Sequence, residues 1–232
     1  MMSDSNQMDA AAATCLVLCF KAPARSKRRL AEEIGELATT AATHLWACML
    51  EDLQSWPGPV YFAPAETEDA AWLDRQLGSS YSGVLQTGSN LGERINHVDE
   101  TLRYRGEKNL LFVGTDCPAM ERDYLLQAAA DLIHHDVVLG PATDGGVVLM
   151  GTRRMWPALA ELPWSTVRLH TELARLCTQR GLTIANLDVR ADVDSVSALL
   201  TARSDLAQDP RPARRAFSHW LNQPNAAWNR SS

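Results

Sequence analysis

The chain has no C-x-x-C pair, no basic N-terminal run and no long apolar segment. Its five cysteines, Cys15, Cys19, Cys48, Cys117 and Cys177, are odd in number and scattered. A disulfide framework and a C-x-x-C zinc site are therefore not expected, and a reducing, cytoplasmic setting is. The first ten residues are polar and acidic, unlike a signal peptide. The longest apolar stretch, residues 10–20, is too short for a membrane span. Positive charge is scarce: 22 Lys and Arg face 28 Asp and Glu, a net charge of -6. This balance argues against a nucleic-acid or anionic-membrane surface. The seven tryptophans form no stacking stripe and read as packing residues. Neither an internal repeat nor an interdomain linker is visible.

What is present is ordinary globular material. The 232 residues are 46% hydrophobic and 22% charged, enough for one larger domain with a sizeable core. Short β-branched runs predict strands at residues 15–20, 60–63, 83–87, 109–115, 137–139, 147–150 and 182–187. Helical periodicity predicts a long helix over 26–54 capped by Ser26, then helices over 68–77, from the 88–94 turn to about 105, over 121–135, 156–162, 167–180, 195–203 and 214–221. Strands alternating with helices imply βαβ units and a mostly parallel sheet. The ligand crevice of such a sheet lies at the carboxyl ends of its strands.

Several groups follow strands closely enough to share that edge. Residues 137–151 place Pro141, Thr143, Asp144, Gly145 and Gly146 between two apolar runs. This is either a plain hairpin turn or a carboxylate presented to a ligand on a glycine-rich turn. Asp116 ends another buried strand, in Gly-Thr-Asp-Cys-Pro, and Asp192 and Asp194 sit two apart on a later loop. Mg2+ or Mn2+ takes hard oxygen ligands of this kind, and Asp116 with Asp192 and Asp194 can supply them. A strand-closing turn and an N-cap are the ordinary alternatives. Lys21, Arg25, Lys27, Arg28 and Arg29 crowd a strand-to-helix junction. Cations there oppose the helix dipole, and an anion such as phosphate would offset that opposition. Residues 88–94 form a second glycine-bearing turn into a helix, with Gly92 and Arg94 near its start and Gln86 before it, placed to meet a base edge. Trp164, Ser165 and Thr166 read as a helix cap or as ligand contacts.

Together these stretches resemble GT-A-like bacterial proteins, the rSAM/selenodomain-associated glycosyltransferase and nucleotide-diphospho-sugar transferase family, which is related to phospholactate guanylyltransferase-like proteins. The resemblance spans about residues 15–200. It rests on Lys21-Ala-Pro23 with Lys27 and Arg29-Leu30, Leu91-Gly-Glu-Arg94, Gly114-Thr-Asp-Cys-Pro118, residues 139–146, Trp164-Ser-Thr166 and Asp192-Val-Asp194. It implies a three-layer Rossmann-like α/β fold around a mostly parallel sheet. The residues themselves predict a disordered tail over 1–13 and a C-terminal helix and tail over 207–232, and the resemblance implies a nucleotide-binding domain over 14–206 between them. The implied activity is a metal-dependent transferase using a nucleotide sugar or nucleoside triphosphate. Nucleotidyl transfer to a small phosphorylated acid and a catalytically degenerate binding module are the alternatives.

On this resemblance Mg2+ or Mn2+ sits on Asp116, Asp192 and Asp194, and Asp144 and Asp116 serve catalysis. Lys21, Lys27, Arg29, Gln86, Gly92, Arg94, Thr143, Gly145, Gly146, Ser165 and Thr166 bind the nucleotide or substrate. The expected partners are a nucleotide or nucleotide-sugar donor and a small-molecule acceptor, with a homodimer left open and neither nucleic acid nor a membrane span. The chain departs from the family pattern K-x-P-x-x-G-x-x-K-T-R-L, its loop being about two residues shorter and lacking the glycine. It also carries Val147 and Val148 where relatives have tyrosines, and Asn90 where they have Asp.

Overall fold

The structure, a computed structural model, describes residues 4–223. Its centre is a seven-stranded sheet in the order β3-β2-β1-β4-β6-β5-β7. The strands are β1 Thr14–Phe20, β2 Val60–Pro64, β3 Ser82–Gly83, β4 Asn109–Val113, β5 Val137–Pro141, β6 Val147–Thr152 and β7 Ile184–Asn186. β3, β2, β1 and β4 run parallel, β6 is antiparallel to both β4 and β5, and β7 is parallel to β5. The expected mostly parallel α/β sheet is thus present. Burial on both faces explains the unbroken apolar runs of β1 and β4.

Nine α-helices among the described residues cover the sheet: α1 Asp4–Ala12, α2 Arg28–Ile34, α3 Leu37–Gln54, α4 Thr67–Leu77, α5 Leu91–Tyr104, α6 Arg122–His134, α7 Leu169–Gln179, α8 Val196–Asp205 and α9 Pro212–Leu221. One apolar layer joins Leu16, Leu18, Leu111 and Val138 to residues of α1, α3 and α6. The opposite layer joins Val17, Leu110, Phe112 and Leu139 to Ile95, Val98 and Leu102 of α5 and Leu173 and Cys177 of α7. A third cluster packs α2, α3, α8 and α9 around Leu30, Leu45, Leu199 and Phe217. All five cysteines are free thiols. No described helix is long and apolar enough to cross a membrane.

Four expectations are corrected. Of the tail expected over 1–13, residues 4–12 form a packed helix: α1 buries Ala10 and Ala11, and Met8 packs on the same core, while residues 1–3 lie outside the described residues. The single helix expected over 26–54 is two helices, because Gly35 takes φ 60 and breaks the repeat between Ile34 and Leu37. Nor does Ser26 cap it; the residue preceding α2 is Lys27, in the left-handed region at φ 53 and ψ 40. Residues 156–162 form no helix. Their backbone groups are taken by α5 instead: Trp156 N donates to Asp99, Leu159 N donates to Asn96, and Asn96 donates to the Pro157 carbonyl.

The expected strand over 83–87 is regular only over Ser82–Gly83, but its backbone continues along β2. Val84 N donates to Phe62 O and Gln86 N to Pro64 O. The chain therefore delivers Gln86 to the same carboxyl edge as the ends of β1, β2 and β4. The helix expected over 214–221 is present as α9, which buries Arg214, Phe217 and Leu221. The last residues, 224–232, lie outside the described residues.

Candidate active site

The carboxyl ends of β1, β4 and the β3 extension open into a crevice of about 750 Å³. The turn between β5 and β6 closes one side and α5 the other, so residues 137–151 form the expected hairpin and its turn borders the crevice. Lys21, Lys27, Arg29, Gln86, Arg94, Asp116, Asp144, Gly146, Ser165, Asp192 and Asp194 all line it.

Lys27 is the pivot. Its side chain is 2% exposed, and its Nζ lies 2.6 Å from Asp116 Oδ1 and 2.7 Å from Asp194 Oδ1. Burial opposes the ammonium, but the two carboxylates outweigh it and hold the pKa above its ordinary value. A left-handed lysine is uncommon. The basic loop lacks the glycine of the family pattern, and Lys27 itself makes the left-handed turn.

The backbone sets the carboxylates against each other. Val193 N donates to Asp116 O at 2.8 Å, so the loop bearing Asp192 and Asp194 lies along the turn after β4. Arg190 exchanges backbone bonds with Pro141 and Thr143, which draws the same loop beside the Asp144 turn. Burial raises the Asp192 carboxyl to about 6, with Asp144, Asp194 and Asp116 adding to the effect. Asp144 Oδ1 accepts from Gly146 N at 2.8 Å, which fixes the carboxylate on its turn.

The donor chemistry suits a hard cation, since Asp116 and Asp194 meet one ammonium and Asp192 feels the charge of both and of Asp144. The expected ligand set Asp116, Asp192 and Asp194 is nevertheless not assembled around one point. Among the described residues no group of three or more His, Cys, Asp or Glu side chains is arranged to hold a metal ion. The Lys27 ammonium takes the position between Asp116 and Asp194 instead.

Not every expected contact reaches the crevice. Gly92 packs against the Leu159 backbone, which a Cβ would meet at 2.2 Å. Gly145 has φ 86, and a Cβ there would meet Val167 O at 2.1 Å. Both glycines are needed for close packing of chain on chain. Thr143 is exposed and spends its N–H on Arg190 O. Thr166 donates to Pro163 O and accepts from Arg168 N, so it shapes the start of α7. Its neighbour Ser165 does line the crevice, in the left-handed region at φ 61.

Arg25 is paired with Glu68 at 2.9 Å. Arg94 donates to Gly88 O and to Glu66 at 2.9 Å. Lys21, Arg28 and Arg29 are exposed on the crevice wall. Cys19 also lines the crevice, but burial pushes its thiol up to about 12, so it is no ready nucleophile.

One residue escaped the sequence reading. Asp69 is fully buried; it accepts from Ala22 N at 2.9 Å and from Glu66 N at 3.1 Å. It thereby ties the start of the basic loop to α4. The spacing of Glu66 and Asp69 at the head of a helix was a legible capping signal, but its reach to Ala22 was not.

The fold has counterparts among solved structures. A protein from Desulfovibrio desulfuricans G20, described as a candidate nucleotide-diphospho-sugar transferase, is 23% identical with a TM-score of 0.83, over 94% of this chain and 97% of that one. A cytidylyltransferase from Leptospira borgpetersenii serovar Hardjo-bovis is 9% identical with a TM-score of 0.55, over 95% and 98% of the two chains. A CMP:2-keto-3-deoxy-manno-octonic acid synthetase complexed with CTP is 14% identical with a TM-score of 0.52, over 84% and 99%. These likenesses establish a nucleotide-diphospho-sugar transferase and nucleotidyltransferase type of fold. No curated protein matches the chain. Residues 49–166, from α3 through the Asp116 and Asp144 turns to the Trp164 loop, match the bacterial family described as "Uncharacterized protein conserved in bacteria (DUF2064)", and the chain belongs to that family.

Proposed function

We propose that the protein is a metal-dependent transferase that takes a nucleotide sugar or a nucleoside triphosphate as donor. The observation that carries this reading is the surplus of carboxylate at the ligand edge: Asp116, Asp144, Asp192 and Asp194 around the single buried ammonium of Lys27. Such a surplus suits a divalent cation and its phosphate ligands. Lys21 and Arg29, exposed on the wall of the same crevice, offer charge-assisted hydrogen bonds to donor phosphates. Lys27 joins them once its carboxylates take another partner.

Asp116 and Asp194, with Asp192, would hold Mg2+ or Mn2+. That cation would neutralise charge building on the transferred group. The remaining catalysis is positioning by preorganised side chains. Asp144, held by Gly146 N–H, orients the acceptor or takes its proton.

Nucleotidyl transfer to a small phosphorylated acid is the second reading. The three exposed cations Lys21, Arg28 and Arg29 favour it, since they outnumber what one phosphate chain needs. Release of pyrophosphate, rather than of a nucleoside diphosphate, distinguishes it from sugar transfer. A binding module without turnover is the third, supported by Val147 and Val148 beside the crevice. It predicts nucleotide binding with no product.

The test is Asp116→Asn in a thermal-denaturation assay with nucleotides, nucleotide sugars and Mn2+. A ligand at one hundred times its Kd adds about 2.7 kcal/mol of stability to the wild type. Asp116→Asn should melt near the wild type without ligand and lose most of that gain. Equal gains in both proteins would sink the assignment.

A further inference from the structure

The crevice has two unlike halves. Its charged half lies over β1 and β4, where Lys27 meets Asp116 and Asp194. Its other half is apolar. The sheet order puts β6, which opens with Val147, on the far side of β4 from β1. Leu91, Val147 and Trp164 line that half, and none of the three is buried. Leu91 is 42% exposed at the head of α5, whereas the apolar residues of an amphipathic helix ordinarily face the core.

Backbone contacts join these three side chains into one shelf. Leu159 O accepts the Trp164 indole N–H at 2.9 Å and lies against Gly92. Leu91, the neighbour of Gly92, is thereby brought to the Trp164 side of the crevice. The indole N–H is spent on that carbonyl, so the ring offers the crevice only carbon. Beyond Trp164 the chain enters α7, and the Asp144 turn is seated there. A Cβ on Gly145 would meet Val167 O at 2.1 Å, and Gly145 O accepts from His170 N at 3.1 Å. Val147 leaves the same turn. Asp144 and Ser165, which also line the crevice, supply polar groups at the margin of the shelf.

We infer that this shelf seats the body of the acceptor, which is an alcohol carried on an aromatic or branched aliphatic group rather than a polyol or a small phosphorylated acid. The inference rests on the transferase reading above and names its acceptor class. Single apolar side chains on a surface need no explanation, but Leu91, Val147 and Trp164 share one crevice that ends at a carboxylate edge. An apolar body laid on them removes both surfaces from water, which a polyol or a phosphate cannot do without losing its own hydration. The acceptor hydroxyl then points to Asp144. Its proton passes to the Asp144 carboxylate and its oxygen bonds to the transferred group. The bond from that group to the donor phosphate breaks, and the electron pair leaves with the phosphate.

Methyl-resolved NMR of the full chain, labelled at leucine and valine, tests the inference. The probes are 4-methylphenol and cyclohexanol as apolar alcohols, and glycerol and glycerol 3-phosphate as polar ones. The apolar pair should shift the Leu91 and Val147 methyl signals saturably, and the polar pair should leave them in place. Val147→Thr, of the same shape, and Leu91→Gln, of similar length, alter positions that are not buried. Each should weaken 4-methylphenol binding about fivefold with little change in melting temperature. The shifts should persist when Mn2+ is bound with UDP-glucose or GTP. Unmoved Leu91 and Val147 signals, equal shifts from the polar pair, or undiminished binding in both variants overturns the acceptor class and leaves nucleotide binding intact. Displacement of 4-methylphenol by the nucleotide also overturns it, because the shelf would then hold the donor. Failure of both nucleotides to bind with Mn2+ overturns the acceptor role together with the transferase reading, even with the apolar alcohols seated.

Discussion

Two buried cations in this protein sit in acidic surroundings, and they are surrounded differently. Arg214, fully buried on α9, donates to the carbonyls of Pro118, Cys48 and Met120 and to the carboxylates of Glu51 and Asp52. Arg211 adds a second guanidinium, 3.0 Å from Asp52 and 2.6 Å from Asp209. Here two guanidiniums answer three carboxylates, and Arg214 is enclosed. Lys27 meets two carboxylates whose side chains are each 44% exposed to the crevice, with Asp144 and Asp192 close behind. One ammonium answers four carboxylates, and one side is open. A satisfied, sealed network joins α9 to α3 and to the loop after Asp116, whereas an unbalanced, open one is prepared for a charged ligand.

Three changes break or sharpen this contrast. Arg214→Met should have the largest effect on folding. It leaves Glu51 without a guanidinium and Asp52 with Arg211 alone, and removing one partner of such a buried pair costs about 3–5 kcal/mol. Chemical denaturation measures it; a loss below about 1 kcal/mol would remove the distinction between the two networks.

Lys27→Met should cost less, about 1 kcal/mol, because water screens the half-exposed carboxylates. With the ammonium gone, their mutual repulsion seeks another cation. Millimolar Mn2+ should therefore raise the melting temperature of Lys27→Met more than that of the wild type. A smaller or equal rise would show that the four carboxylates do not act together.

The smallest effect concerns the docking of α9. His44 on α3 lies 5.4 Å from the rings of both Phe217 and Trp220, and burial lowers its pKa from 6.5. A lowered folded-state pKa means that the unfolded chain takes up the proton first as pH falls. The stability from this group is thus complete above about pH 6.5 and is lost progressively below it. Melting temperatures between pH 7.5 and 5.5 should fall less steeply in His44→Phe. An unchanged slope would place the acid sensitivity elsewhere, for example in the carboxylate networks.

The sequence reading reached the sheet because each buried strand is a short run that no helix period explains. It reached Asp116, Asp144, Asp192 and Asp194 because each lies just beyond a strand or opens a helix, and parallel strands bring such positions to one edge. It missed the role of Lys27. A basic run beside a helix start reads as a phosphate cradle, and nothing local says that one lysine turns inward to two carboxylates 89 and 167 positions away. It misjudged Gly92 and Gly145 for a related reason. Glycine marks close approach, but whether a ligand or another backbone approaches depends on distant chain, here Leu159 and Val167.

Local chemistry alone determined much of this protein: an α/β chain with apolar strands, capped helices and carboxylates on turns. Hydrophobic periodicity and turn preference act over a few residues, so they are written wherever those residues are. Tertiary structure decided the rest. It set the antiparallel β6 between β4 and β5, folded residues 4–12 onto α6, and closed Lys27 upon Asp116 and Asp194. It also bonded the Gln86 side-chain amide to the Ala63 carbonyl at the edge of the crevice. Each of these depends on a partner far away in the chain, and a charge or hydrogen bond has no preferred partner until folding brings one within reach.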